Sequence, residues 1–189
     1  MTQNSPIREF DFTLLLTGIN ELTPNIMDAL FEAGCDDGTV SMRSGRAFIT
    51  FSRQAPSMKD AIVSAIGNVR NANIGADVLR VDDCNLVAQA DIARRINRSR
   101  QLVHQYMTGE RGPGGFPSPV CGIVDNYPLW RWCEVSYWLW QNNMVKEEVR
   151  RDAEEIDLIN NVLDLIRQRA LNPERAIEVI NSLSPQICH

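Results

Sequence analysis

The feature that most constrains this chain is the order in which two apolar periodicities alternate before residue 83. Phe10 to Leu16 is strand-like, and Thr23-Pro24 after it offers a capping hydroxyl and a proline suited to a first helical turn. Ile26, Ala29, Leu30 and Ala33 then recur at helical spacing as far as Gly34. Thr39 to Met42 and Arg46 to Phe51 read as two short strands joined by an Arg43-Ser44-Gly45 hairpin turn, although Phe48 and Phe51 fall on opposite faces. Ser57 caps a second helix carrying Ile62, Ala65, Ile66 and Val69, which ends near Asn73-Ile74-Gly75, and Ala76 to Val81 is a last strand. The order βαββαβ predicts an α+β, ferredoxin-like sandwich over residues 1–83, with two helices on one face of four strands. Topology of this kind carries no function by itself. The unit is expected to sense a small-molecule effector, bind a partner protein or aid assembly.

Asp82-Asp83-Cys84-Asn85 marks the boundary to a second domain, residues 84–143, where the charge changes sign. The whole chain of 189 residues carries a formal net charge of -5. Between residues 84 and 131, however, six arginines (Arg94, Arg95, Arg98, Arg100, Arg111, Arg131) face only three acidic residues (Asp91, Glu110, Asp125), a local excess of three positive charges. Arginine's planar fork suits phosphates and guanine edges. Gln89 to Ile96 forms a short amphipathic helix, with Ile92, Ala93 and Ile96 opposite Arg94 and Arg95. Asn97 tolerates the left-handed backbone of a sharp reversal, and Ser99 can cap a helix from Arg100 to Thr108 that stops at Gly109. Small Ala93, turn residue Asn97 and apolar Val103 fit the contact of two steeply crossing helices, the logic of a DNA-binding helix-turn-helix. If Leu102, Val103 and Tyr106 pack inward, the capping residue Ser99 and Arg100, Gln101, His104 and Gln105 form a base-reading face. Arg94, Arg95, Arg98, Arg111 and Arg131 are then expected to contact phosphates.

The segment GERGPGGFPSPV is too rich in glycine and proline for regular structure, and it lacks the GK[ST] ending of a phosphate loop. Val120 to Val124 and Pro128 to Trp132 are expected as the two edges of a β-wing around Asp125-Asn126. Glu134 to Trp140 follows as a helix, with Trp132, Val135, Trp138 and Leu139 as its packing set. Ala90-Asp91-Ile92-Ala93, Ser99-Arg100-Gln101 with Val103, Phe116-Pro117-Ser118-Pro119-Val120, and Trp132-Cys133-Glu134-Val135 leading to Trp138-Leu139 occur in that order. Over residues 86–140 this resembles the winged helix-turn-helix of excisionase-like and AlpA-like bacterial regulators, a branch related to the MerR type. The resemblance implies major-groove insertion of the Ser99 to Thr108 helix and a minor-groove or backbone contact by the wing.

Residues 144–189 are expected to form a helical hairpin. Met144 to Ala170 carries an apolar stripe of Val149, Ala153, Ile156, Leu163, Ile166 and Ala170, interrupted by Asn160, and Asn172-Pro173 starts a second helix bearing Ile177, Ile180 and Leu183. The hairpin either covers the DNA-binding domain or pairs with a twin, and homodimerisation is the preferred expectation because dimers bind paired half-sites.

Other classes are poorly supplied. Five scattered cysteines (Cys35, Cys84, Cys121, Cys133, Cys188) read as reduced thiols, and His104 and His189 are the only histidines, so no metal, cofactor or enzymatic activity is expected. Asp36-Asp37 and Asp82-Asp83 read as solvated turns rather than cation sites. No apolar run is long enough for a membrane span and Met1 to Pro6 is polar, which predicts a cytoplasmic protein. The functional expectation is a sequence-specific, double-stranded-DNA-binding transcriptional regulator, a repressor acting as a dimer. The rivals are an excisionase-like architectural factor, betrayed by several spaced sites and strong bending, and an antitoxin-type protein that masks a partner protein.

Overall fold

The computed structural model describes residues 6–81 and 85–183, so Asp82, Asp83, Cys84, Cys188 and His189 lie outside the described residues. Thirteen elements follow one another: β1 (Arg8–Thr17), α1 (Pro24–Glu32), β2 (Gly38–Arg43), β3 (Arg46–Ala55), α2 (Met58–Asn71), β4 (Asp77–Val81), β5 (Leu86–Val87), α3 (Gln89–Arg95), α4 (Arg100–Thr108), β6 (Trp130–Arg131), α5 (Trp132–Gln141), α6 (Glu147–Leu171) and α7 (Pro173–Leu183). The class is mixed α+β.

The first four strands form one antiparallel sheet in the order β2-β3-β1-β4. Alternation decides its faces. Phe10, Phe12, Leu14 and Leu16 of β1 and Ala47, Ile49 and Phe51 of β3 are buried beneath Leu30 of α1 and Ile62, Ala65 and Val69 of α2. Each fully buried large apolar side chain contributes about 1.5–3 kcal/mol. The opposite face stays polar: Thr13 and Thr50 share a hydroxyl–hydroxyl hydrogen bond of 3.1 Å, and Ser52 donates to Asp11. The expected caps form, with Ile26 N–H donating to Thr23 Oγ1 (3.3 Å) and Asp60 N–H to Ser57 Oγ (3.1 Å). Ser44 and Gly45 both take positive φ, the geometry of a two-residue hairpin turn.

One buried charge belongs to this unit. Arg53, only 8% exposed, grips Asp37 with two hydrogen bonds of 2.8 and 2.7 Å and also donates to Gly34 O and Ser64 Oγ. Asp37 is therefore an ion-pair partner that ties the α1–β2 turn to β3 and α2, and not the freely solvated residue expected from sequence.

A second core gathers Val87, Ile92, Ala93, Val103, Trp130, Val135, Trp138 and Leu139. Strand β5, absent from the sequence expectations because two residues carry no periodicity, pairs antiparallel with β6. The two strands expected as the edges of a β-wing pair less than expected. They meet only at the Cys121–Leu129 bridge, because the turn already occupies Gly122 to Tyr127, closed by Tyr127 N–H on Gly122 O at 2.9 Å, and Pro128 has no N–H to extend the ladder. A Cβ on Gly122, whose φ is +70°, would sit 1.9 Å from Tyr127 O.

Helix α6 joins the two cores. Leu163 enters the first core, and Ile156 and Ile159 pack against it. Asp157 accepts from Arg131 and, at 3.0 Å, from Asn85. Among the expected stripe residues, Ala153 and Leu163 are buried, whereas Val149, Ile166 and Ala170 are exposed. Of the two roles open to the tail, α6 takes the covering one, packing along β4, α2 and α5. Helix α7 has no buried residue, and Leu158, Val162, Leu165 and Ile166 on the outward side of α6 are exposed. Among the described residues, no helix is long and apolar enough to cross a membrane.

Candidate nucleic-acid interface

The α3–α4 reversal is built as its residues dictate. Asn97 takes φ +51°, and Arg98 N–H reaches back to Ala93 O at 2.9 Å, which closes the end of α3. Ser99, extended at φ -72° and ψ 149°, accepts from Leu102 N–H at 3.2 Å and so starts α4, while Gly109 ends it in the left-handed region at φ 73°. Gln89 adds a tie that sequence reasoning missed: its Nε2 donates to Arg100 O at 2.8 Å, clamping the start of α3 to the start of α4. Asp91 caps α3 by accepting from Ala88 N–H at 3.1 Å.

Inside the reversal, Ile92, Ala93 and Val103 are buried, and Leu102, Tyr106 and Met107 are partly buried. Ser99, Arg100, Gln101 and His104 are exposed on the other side of α4, and Gln105 is half-buried at its margin. This surface is uncovered by any described residue of the chain.

The expected phosphate-contacting arginines separate into three situations. Arg98 and Arg111 are exposed. Arg94 is exposed but paired with Asp91 at 2.9 Å, and Arg95 stacks over the Trp132 ring at 4.8 Å. Arg131 is half-buried and held by Asp157; this hydrogen bond, ahead of all other influences, raises its pKa further. Its charge is neutralised within the protein, so its first duty is to join β6 to α6.

The glycine–proline loop after α4 is held by aromatic groups. Trp138 Nε1 donates to Gly114 O (2.9 Å) and Trp130 Nε1 to Pro117 O (3.0 Å), while Phe116 meets both indoles edge-on. Trp130 and Trp138 are buried structural residues. The turn between Gly122 and Tyr127 presents Ile123, Val124, Asp125 and Tyr127, all exposed, with Val124 at 98%. It offers apolar surface rather than positive charge.

No protein-family model matches the chain, and neither a curated protein nor a solved structure matches it.

Proposed function

We propose that this protein is a sequence-specific DNA-binding transcriptional regulator, a repressor, that inserts the Ser99 to Thr108 segment into the major groove of double-stranded DNA. In this reading residues 84–143 are a winged helix-turn-helix of the excisionase-like and AlpA-like type, and residues 1–83 are a ferredoxin-like sandwich. The observation that carries it is the uncovered face of α4, where Arg100, Gln101 and His104 project opposite buried Val103. Arginine and glutamine on such a face match guanine and adenine edges. Exposed Arg98 and Arg111 lie at either end of α4 and suit flanking phosphates. The short apolar wing suits a groove-wall contact better than a phosphate clamp.

The protein acts as a homodimer in this proposal. Ile177, Val179, Ile180 and Leu183 of α7 are exposed, and α2 and α6 flank an apolar groove of about 530 Å³ lined by Val63, Leu158 and Val162. An 11-residue helix is marginal alone, so α7 needs a surface, and Glu174 and Glu178 on it complement Lys59 and Arg70 beside the groove. The twin's α7 supplies that match.

Selection of binding sites from random duplex with the purified protein tests the proposal. Recovery of a paired motif supports it; recovery of unenriched sequence at physiological salt rules it out.

A further inference from the structure

The two outer strands of the four-stranded sheet are finished differently. At the β4 edge Asn160 bonds to the backbone of Val81, whereas along β2, the other edge, no described residue takes that place. Open strand edges are normally blunted by proline, lysine or a bulge, because they pair with other chains. Strand β2, Gly38-Thr39-Val40-Ser41-Met42-Arg43, contains neither residue, and its register against β3 is unbroken.

Parity shows which backbone groups lie open. Asp37 O accepts from Ser52 N–H at 3.2 Å, so the odd-numbered residues of β2 exchange hydrogen bonds with β3, and Val40 and Met42 turn their N–H and C=O outward. Gly38 turns its carbonyl outward too, its N–H being taken by Cys35 O at 3.1 Å. These three residues are symmetric about Val40. In an antiparallel second β2 centred there, Val40 N–H and O exchange with their twins, and each Met42 N–H meets the other copy's Gly38 O. The ends match in charge as well. Exposed Asp36 precedes β2 and exposed Arg43 ends it, neither in an ion pair among the described residues, and reversal of the partner strand brings each beside the other.

We propose that two copies of this chain pair β2 against β2, antiparallel about Val40, and so join their four-stranded sheets into one. The bonds are few and little apolar surface is buried, less than separate molecules at micromolar concentration need to stay together. The contact therefore forms where another attachment raises the effective concentration to about the millimolar range. DNA supplies that attachment, and this second step rests on the DNA-binding reading. The α2–α6 groove proposed to hold the twin's α7 involves no residue of β2, so a dimer keeps both its β2 edges open. Dimers on adjacent sites then meet edge to edge and fill those sites cooperatively.

The test is disulfide trapping in the full-length, DNA-free protein at about millimolar concentration. Thr39 of one copy and Ser41 of the other form a non-hydrogen-bonded pair with Cα atoms about 4.5 Å apart, inside disulfide range, whereas Thr39 with Thr39 and Ser41 with Ser41 lie on diagonals and farther apart. The Thr39→Cys and Ser41→Cys proteins, mixed and oxidised with diamide, are expected to cross-link through these two positions, located by mass spectrometry, roughly tenfold faster than either position with itself. Val40→Pro removes an outward N–H and no bond of the β3 ladder, so adding it to both proteins is expected to abolish the excess while the circular dichroism spectrum stays native. Arg43→Asp is expected to slow the trapping, and Asp36→Arg added to it to restore the rate, as an antiparallel self-pair requires. Equal rates at like and unlike positions, or rates indifferent to Val40→Pro and to the charge exchange, overturn the pairing. If trapping succeeds but the native and Val40→Pro proteins fill two adjacent selected sites on one duplex with equal cooperativity, the DNA step is overturned and the edge pairing stands. Because the trapping contains no DNA, its failure says nothing against the DNA-binding reading.

Discussion

Asn160 forms a two-way amide clasp on the backbone of Val81: Val81 N–H donates to Asn160 Oδ1 at 2.8 Å, and Asn160 Nδ2 donates to Val81 O at 2.9 Å. The same Nδ2 donates to Asn85 Oδ1 at 2.5 Å. Asn160 is fully buried, so the side chain takes the place of a neighbouring strand at the open edge of β4. The clasp also secures the crossing from one core to the other. A buried peptide group left without a partner costs about 1–3 kcal/mol, so Asn160→Ala, which orphans two of them, is expected to lower the unfolding free energy by about 3 kcal/mol or more. Urea unfolding followed by circular dichroism measures this. A loss below about 1 kcal/mol contradicts the clasp.

From the sequence, Asn160 looked like a defect in an apolar stripe, and the reason is physical. Periodicity reports which face of a helix is apolar, but a polar residue on that face can be either an interruption or a satisfied partner of a distant backbone group. The local devices were legible because they depend on neighbours in sequence: Thr23, Ser57 and Ser99 as caps, Asn97 as the left-handed turn, Ser44-Gly45 as the hairpin. Contacts across the fold were not. The Arg53–Asp37 pair, the Arg131–Asp157 pair and the stacking of Arg95 on Trp132 all join residues whose proximity no spacing rule encodes. For the candidate interface, the exposure of Arg100, Gln101 and His104 could be read from the position of Val103, and the Arg94–Asp91 pair follows from helical spacing, whereas Arg95 and Arg131 could be counted as charges but not assigned to Trp132 and Asp157.

The turn between α3 and α4 gives a conformational test. Asn97 holds φ +51°, where a β-branched side chain is strained and glycine is at ease. Asn97→Gly is expected to change stability by less than about 0.5 kcal/mol, and Asn97→Val to cost about 1–2 kcal/mol. Thermal unfolding of the two variants compares them directly, and equal melting temperatures would show that the reversal does not need this backbone.

Cys35 gives a pH dependence with a definite sign. Burial, its largest influence, pushes the thiol from 9.0 up to about 11. A group whose pKa is higher folded than unfolded favours the fold below the unfolded value and loses that contribution as the pH climbs through the folded one. Stability is therefore expected to fall between pH 9 and 11 by up to roughly 3 kcal/mol more in the native protein than in Cys35→Ala. Parallel urea midpoints of the two proteins across that window would remove the assignment. Iodoacetamide at pH 8 should likewise spare Cys35 in the folded state.

The two classes of arginine on the proposed DNA face separate by experiment. Arg100→Ala with Gln101→Ala is expected to cost about 1–3 kcal/mol against a selected site and to flatten preference among sequences. Arg98→Ala is expected to weaken all duplexes alike and to reduce the slope of log affinity against log salt by about one. Arg131→Ala differs from both: it frees Asp157, so its first effect is on the melting temperature. Fluorescence anisotropy at several salt concentrations distinguishes these outcomes, and identical behaviour of the Arg98 and Arg100-Gln101 variants would deny α4 a reading role.

Helix α7 gives the last test, because none of its residues is buried and Ile177, Val179, Ile180 and Leu183 are all exposed. Ile177 and Ile180 lie three residues apart on one face, and Leu183 continues that face at 78% exposure. None of them supports either core, so Ile177→Glu with Ile180→Glu is expected to leave the melting curve of the monomer unchanged. The pairing they are proposed to make should nevertheless be lost, since two carboxylates cannot enter an apolar groove unpaired. Sedimentation velocity at micromolar concentration is expected to give a dimer for the native chain and a monomer for the double variant. Leu158→Glu, on the groove rather than on α7, should give the same monomer, because each face meets the other across the twofold axis. The monomeric variants are expected to keep their preference for a half-site and to lose the extra affinity for a paired one. A native chain that sediments as a monomer at that concentration leaves α7 without its proposed partner.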